Sequence, residues 1–265
     1  MRVTALYRYP VKSLGGESVT SLEVAARGFT DDRRWMLVDP DGTFISQRTH
    51  HHLATYSASV SGSDDLVIAD GAGRKLTVSG ARAVTGPSTT VTVWDDVVTA
   101  REVGAPDLGT FLQLPAARLV YMAPDSVRPI DPRYAEEGET VSFADGYPYL
   151  ITTEASLREL EHRVGYGLGM LRFRPNLVVD GTDAFAEDDW KRLRIGDTTF
   201  RLPKPCARCI MVTLEPGSGG KDLAVLSTLA SFRRVGNKTL FGMNAIADTA
   251  GARVAVGDAV EVLPG

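Results

Sequence analysis

The sequence predicts a β-rich α+β protein, and three observations carry that prediction. Short apolar segments of strand length recur through the first hundred residues, with turn signals between them. The pairs Asp41-Gly42, Asp70-Gly71 and Asp95-Asp96 sit where hairpins need tight turns. Helix signals are few. Strands this short and this evenly spaced point to a barrel or sandwich rather than a doubly wound sheet.

Taken in order, strands are expected at residues 3–9, 18–24, 35–38 and 43–45, with Asp41-Gly42 closing the last pair. Further strands follow at 66–69, 75–78, 91–94 and 97–102, then a short helix at 105–114 with Pro106 in its first turn. Residues 122–140 combine prolines, glycines and charges and read as a long loop, the best place for a boundary. The clearest helix is 154–164, started by Thr153 as N-cap and ended near Gly165. Strands are expected at 177–179, 192–195, 198–202 and 209–214, a second helix at 226–234, and strands at 239–245, 253–255 and 259–263.

With 265 residues, 43% of them hydrophobic, the chain is long enough to bury a large core. A net charge of −4 argues against general nucleic-acid binding, which wants a basic surface. The first residues carry no apolar core of signal-peptide length, and no stretch has the run of apolar residues a membrane span requires. A cytoplasmic protein without a membrane partner is the expectation.

Three familiar signals fail. Gly217-Ser218-Gly219-Gly220-Lys221 resembles a phosphate loop, but Glu215 and Asp222 break the pattern. Gly165, Gly167 and Gly169 lack the third spacing of a dinucleotide fingerprint, because Met170 follows. His50-His51-His52 is more simply a solvated loop than a set of metal ligands.

The two cysteines of the chain, Cys206 and Cys209, are different. They share one segment, Lys204-Pro205-Cys206-Ala207-Arg208-Cys209, after an expected strand. Arg208 beside Cys209 would favour the thiolate, the nucleophilic and metal-ligating form. Four readings stand: a zinc site completed by His, a redox dithiol, two structural thiols, or one thiolate on a soft metal with Arg208 on an attached anion. Other cationic stations favour the last. Lys12 and Ser13 follow the first strand, Arg33 and Arg34 enter another, and Arg174 and Asn176 precede a third. Strand ends of a barrel share a rim, and arginines there grip phosphate through paired N–H groups.

At these residues the chain resembles the MOSC family of molybdenum-cofactor proteins, in particular members with an N-terminal β-barrel domain. Tyr9-Pro10-Val11-Lys12-Ser13, Asp32-Arg33-Arg34-Trp35, Ser46-Gln47-Arg48, Glu154-Ala155-Ser156-Leu157, Phe173-Arg174-Pro175-Asn176, Ala186-Glu187-Asp188-Asp189-Trp190, Cys206-Ala207-Arg208-Cys209 and Phe241-Gly242-Met243-Asn244 follow in family order. The resemblance implies an N-terminal β-barrel-like domain over 1–121, packed on a C-terminal MOSC β-barrel with a few helices over 122–265. It implies the molybdenum cofactor, with Cys209 as the thiolate on the metal and Cys206 as a neighbour. Lys12, Ser13, Arg33, Arg174, Asn176 and Arg208 would hold the molybdopterin and its phosphate, with Asn244 and the loop Asp145-Gly146-Tyr147 nearby. Asp145 is the candidate proton donor. Ala207 stands where several relatives carry Ser, so one hydrogen bond to the cofactor would be missing.

The implied activity is an oxidoreductase that reduces N-oxygenated, N-hydroxylated compounds. No further cysteine is present for an iron–sulfur cluster, so electrons would come from a separate flavin, haem or iron–sulfur protein. The rival is a carrier that delivers the cofactor without turnover, separable by reductive assay and not by residues. A cofactor sulfurase is disfavoured, since its sulfur-mobilising step uses a separate pyridoxal-phosphate domain.

Overall fold

A computed structural model describes residues 1–61, 65–82 and 85–264. The largest element is a nine-stranded sheet. Its order runs Val260–Leu263, Arg192–Ile195, Thr198–Arg208, Lys238–Ala247, Tyr149–Thr153, Leu177–Asp180, Arg2–Arg8 and Glu17–Val19, with Arg234–Val235 added beside Lys238–Ala247. Tyr149–Thr153 and Leu177–Asp180 run parallel, which demands a crossover, and the helix Glu154–Val164 supplies it.

That helix forms where the sequence expects it. Thr153 Oγ1 accepts from the Ser156 backbone N–H, Gly165 takes φ 93°, and its N–H closes on the Glu161 carbonyl. Ser156, Leu157 and Leu160 turn inward. Beneath the cap, Glu187 is fully buried and accepts from Ser156 Oγ at 2.7 Å and Thr153 Oγ1 at 3.1 Å. Burial raises the Glu187 carboxyl above its ordinary value, and the two hydroxyls only partly oppose this. The native state therefore holds a proton that the unfolded chain has already lost. Stability from this group is present below the unfolded pKa and is lost as pH rises through the folded one. Glu187→Gln should lose less stability than the parent between weakly acidic and neutral pH. Urea midpoints across that range check this, and identical pH slopes would refute it.

Residues 35–121 build two further sheets. Trp35–Val38, Arg118–Tyr121, Asp96–Val103 and Ser88–Val93 form one, and Ser57–Ser61, Asp65–Ala69 and Lys75–Val78 the other. Strand pairing does not follow chain order. Arg2–Arg8 pairs with Leu177–Asp180, and Ser21–Ala25 with Arg253–Ala255. Val3, Leu6, Leu22, Val24 and Phe29 accordingly bury in the C-terminal core with Tyr149, Leu193 and Phe200. A second core, around Trp35, Leu53, Ile68 and Leu119, fills the N-terminal part. No helix among the described residues is long and apolar enough to cross a membrane.

Four expectations need correction. Residues 209–214 are not a strand: Thr198–Arg208 ends at the cysteine segment, and Ile210–Thr213 is a 3-10 turn. An apolar, β-branched run does not distinguish a strand from a short buried turn. The helix expected at 105–114 shrinks to Leu108–Phe111, since the Leu114 N–H folds back onto the Gly109 carbonyl at 2.8 Å. The last helix begins earlier, at Leu223, because Asp222 caps it by accepting from the Ala224 N–H, and it ends at Arg233. Residues 43–45 make only isolated bridges to Val38 and Thr92. The strands Ser57–Ser61, Arg118–Tyr121 and Tyr149–Thr153 were not expected from the sequence.

Candidate functional site

A cleft of about 970 Å³, counted to its open mouth, gathers the residues that the resemblance assigned to the cofactor, though not Arg34, which bonds the Met122 carbonyl instead. Lys12, Ser13, Arg33, Asp145, Gly146, Tyr147, Arg174, Asn176, Cys206, Arg208, Cys209 and Asn244 all line it. The four cations that the sequence scatters, Lys12, Arg33, Arg174 and Arg208, do meet here.

The backbone aims them. Ser13, Arg33 and Arg174 take positive φ of 71°, 49° and 54°, which non-glycine residues rarely adopt. Such strain persists where the surroundings over-determine it, and it clusters at functional sites. Arg33 donates to Asp32 Oδ2 at 2.6 Å, Asn176 Oδ1 at 3.1 Å and the Arg174 carbonyl at 3.1 Å. Arg174 donates to the Leu14 carbonyl at 2.7 Å. Both guanidiniums lie over the Tyr9 ring, at 4.3 and 4.5 Å. Asn176 also receives the Leu150 N–H and donates to the Tyr7 carbonyl, so its amide chiefly fixes Arg33 between strands. Asn244 similarly donates to the Lys204 and Pro205 carbonyls and ties down the cysteine segment.

Among the described residues, six cationic side chains line the cleft, Lys12, Arg33, Arg48, Arg172, Arg174 and Arg208, against one carboxylate, Asp145. Burial lowers Lys12, although Asp145 at 2.6 Å partly restores it. Burial, then Arg33, pushes Arg174 down to about 10, still charged at neutral pH. For Asp145 the crowded wall acts upward, but Lys12, Arg48 and the Trp94 N–H outweigh it and hold the carboxyl well below the usual range. Its side chain is 67% exposed at the mouth, so solvent weakens each of these contacts. Asp145 is thus an ionised acceptor between Lys12 and the Trp94 N–H in this arrangement.

The cysteines overturn one expectation. Arg208 donates to Cys206 Sγ at 3.0 Å and to the Phe173 carbonyl at 2.6 Å. The guanidinium at Cys209 is that of Arg48, whose Nη2 lies 3.4 Å from Sγ. The reason is the strand. Residues two apart share a face and neighbours do not, so Arg208 sides with Cys206. The sequence reading also passed over Arg48, Arg172 and Trp94 as site residues. Arg48 closes the Ser46-Gln47-Arg48 motif, and Arg172 stands two residues before Arg174. Those two were the signals; Trp94 gave none, because the turn expected at Asp95-Asp96 is Trp94-Asp95, Val93 pairing with Asp96.

The donor set tests what would fit. Arg48 Nε, Arg172 Nε, Arg208 Nε and the Tyr147 hydroxyl are buried without a hydrogen-bond partner, and all four residues line the cleft. Buried donors rarely go unpaired, so they call for an acceptor-rich anion. Cys209 adds a soft sulfur. Among the described residues no three His, Cys, Asp or Glu side chains gather to hold a metal, so a four-ligand zinc site has no completing ligands. His51 and His52 bond backbone carbonyls, and His50 bonds Thr49.

Residues 138–261 match the MOSC domain, and residues 1–113 match the MOSC N-terminal beta barrel domain. The chain is 30% identical to the mitochondrial amidoxime-reducing component 1 of Homo sapiens over 98% of its own length and 82% of that protein. This chain belongs to the MOSC family. It is 31% identical to the mitochondrial amidoxime reducing component 2 of Homo sapiens, over 87% of this chain and 72% of that one. It is also 29% identical to the molybdenum cofactor sulfurase of Oryza sativa subsp. japonica, over 89% of this chain and 31% of that longer protein. A molybdenum-cofactor-related role follows for this MOSC protein.

Proposed function

We propose that the chain binds the molybdenum cofactor in this cleft and reduces N-oxygenated compounds with electrons from a separate protein, in a cytoplasmic setting. The carrying observation is one soft sulfur, Cys209, in a cleft where the buried Nε–H groups of Arg48, Arg172 and Arg208 lack acceptors. The names of the amidoxime-reducing relatives support the reaction class. Cys209 would ligate the metal. Lys12, Ser13, Arg33, Arg174 and Arg208, joined by Arg172, would hold the pterin and its phosphate. When bound, the group supplies a two-electron couple at a metal that accepts oxygen. The protein's part is to neutralise the phosphate and to fix the sulfur. Tyr9 stiffens Arg33 and Arg174 from below, while the Lys12–Asp145 pair closes the rim.

The test is expression in a cofactor-competent host, then metal, pterin and turnover of an amidoxime and an N-hydroxylated purine with a reduced viologen. About one molybdenum per chain with turnover is expected, since a lone thiolate in an anion cradle suits a pterin-bound metal. Full pterin without turnover would make the protein a carrier. Stoichiometric zinc in active, molybdenum-free protein would overturn the cofactor assignment.

A further inference from the structure

Arg48 reaches the cysteine segment from the N-terminal part of the chain, and several contacts serve to keep it there. Its guanidinium carbon sits 4.0 Å over the Trp94 ring. Trp94 is the first residue of the two-residue turn between Ser88–Val93 and Asp96–Val103, and it takes φ 57°. A bulky aromatic in that region is strained, and the surroundings must compensate. The indole N–H donates to Asp145 Oδ1 at 3.3 Å, and the Phe44 ring meets Trp94 edge-on at 4.7 Å. Buried Arg128 then ties hairpin to loop. It donates to Asp96 Oδ2 at 2.8 Å and to the Asp145 carbonyl at 3.2 Å.

We propose that Arg48, clamped by Trp94, is a positioning residue that hydrogen-bonds the Cys209 sulfur and sets its donor strength toward the metal. The proposal rests on Cys209 being the metal-ligating thiolate. An N–H···S hydrogen bond draws electron density from the sulfur, weakens its donation, and raises the reduction potential of the attached metal. A centre filled by an external donor is then easier to reduce. The Trp94 stack holds a planar guanidinium, and a lysine would not reproduce either the stack or the fork.

The experiment uses cofactor-loaded full chain in four forms: parent, Arg48→Met, Trp94→Ala and Trp94→Phe. Metal content, pterin content and the midpoint potential of the metal couple are measured for each. Arg48→Met should lower the potential of the two-electron couple by about 30 mV, a tenfold change in its equilibrium constant. Trp94→Ala should shift it in the same direction, and Trp94→Phe, which keeps a ring face, should hold the parent potential. If Arg48→Met fails to take up cofactor, Trp94→Ala decides alone, because it leaves every cation of the cleft in place. A metal-loaded parent with unmoved potentials in Arg48→Met and Trp94→Ala overturns this inference and spares the cofactor assignment. A Trp94→Phe shift as large as that of Trp94→Ala overturns the clamp. A parent without molybdenum defeats both.

Discussion

Cys209→Ser is expected to abolish reductive turnover, by at least about a hundredfold, because a serine oxygen is a harder ligand than a thiolate. The cations would still grip the phosphate, so part of the pterin should stay bound. Cys206→Ser should remain within about threefold of the parent, a typical cost for a change outside the bonding to the metal. The structure supplies the reason: Cys206 Sγ accepts from Arg208 at 3.0 Å, and a serine hydroxyl accepts equally well. Turnover per bound pterin is the quantity to compare. If Cys206→Ser is the inactive variant and Cys209→Ser the active one, the ligand has been assigned to the wrong sulfur. Equal loss in both would restore a dithiol mechanism.

Arg174→Ala is expected to act in the opposite order, emptying the cleft of pterin first and lowering activity in proportion. A charge-assisted hydrogen bond is worth about 1.5–3 kcal/mol, so retention should weaken on the order of ten- to a hundredfold. The same substitution removes the bond to the Leu14 carbonyl and one of the two guanidiniums over Tyr9. Arg174→Lys separates the contributions, since it keeps the charge and loses the fork. Pterin released after gel filtration measures the effect. Full pterin retention in Arg174→Ala would remove Arg174 from the anion cradle.

Much of the cleft was legible because its residues sit in short motifs at strand ends. Lys12, Arg33 and Arg174 lie beside strands and Arg208 ends one, and the packing of separate sheets brings those ends to one cleft. The residues overlooked have a common feature: their roles come from non-local contacts. Arg48 and Cys209 are 161 positions apart and meet only when the two parts of the chain pack. Asn176 and Asn244 line the cleft as expected, and their amides also tie it together across strands.

By itself the sequence determined the β-rich class, the helix from Glu154 to Val164 with both caps, and the family. Each depends on residues that are neighbours along the chain: a cap and its glycine, alternation along a strand, a motif read in order. Tertiary structure alone decided that Arg2–Arg8 joins the C-terminal sheet, that the apolar run after Cys209 coils into a turn, and which arginine faces which sulfur. Pairing partners and the faces of adjacent residues are set by packing between distant segments, and local propensity carries no record of it.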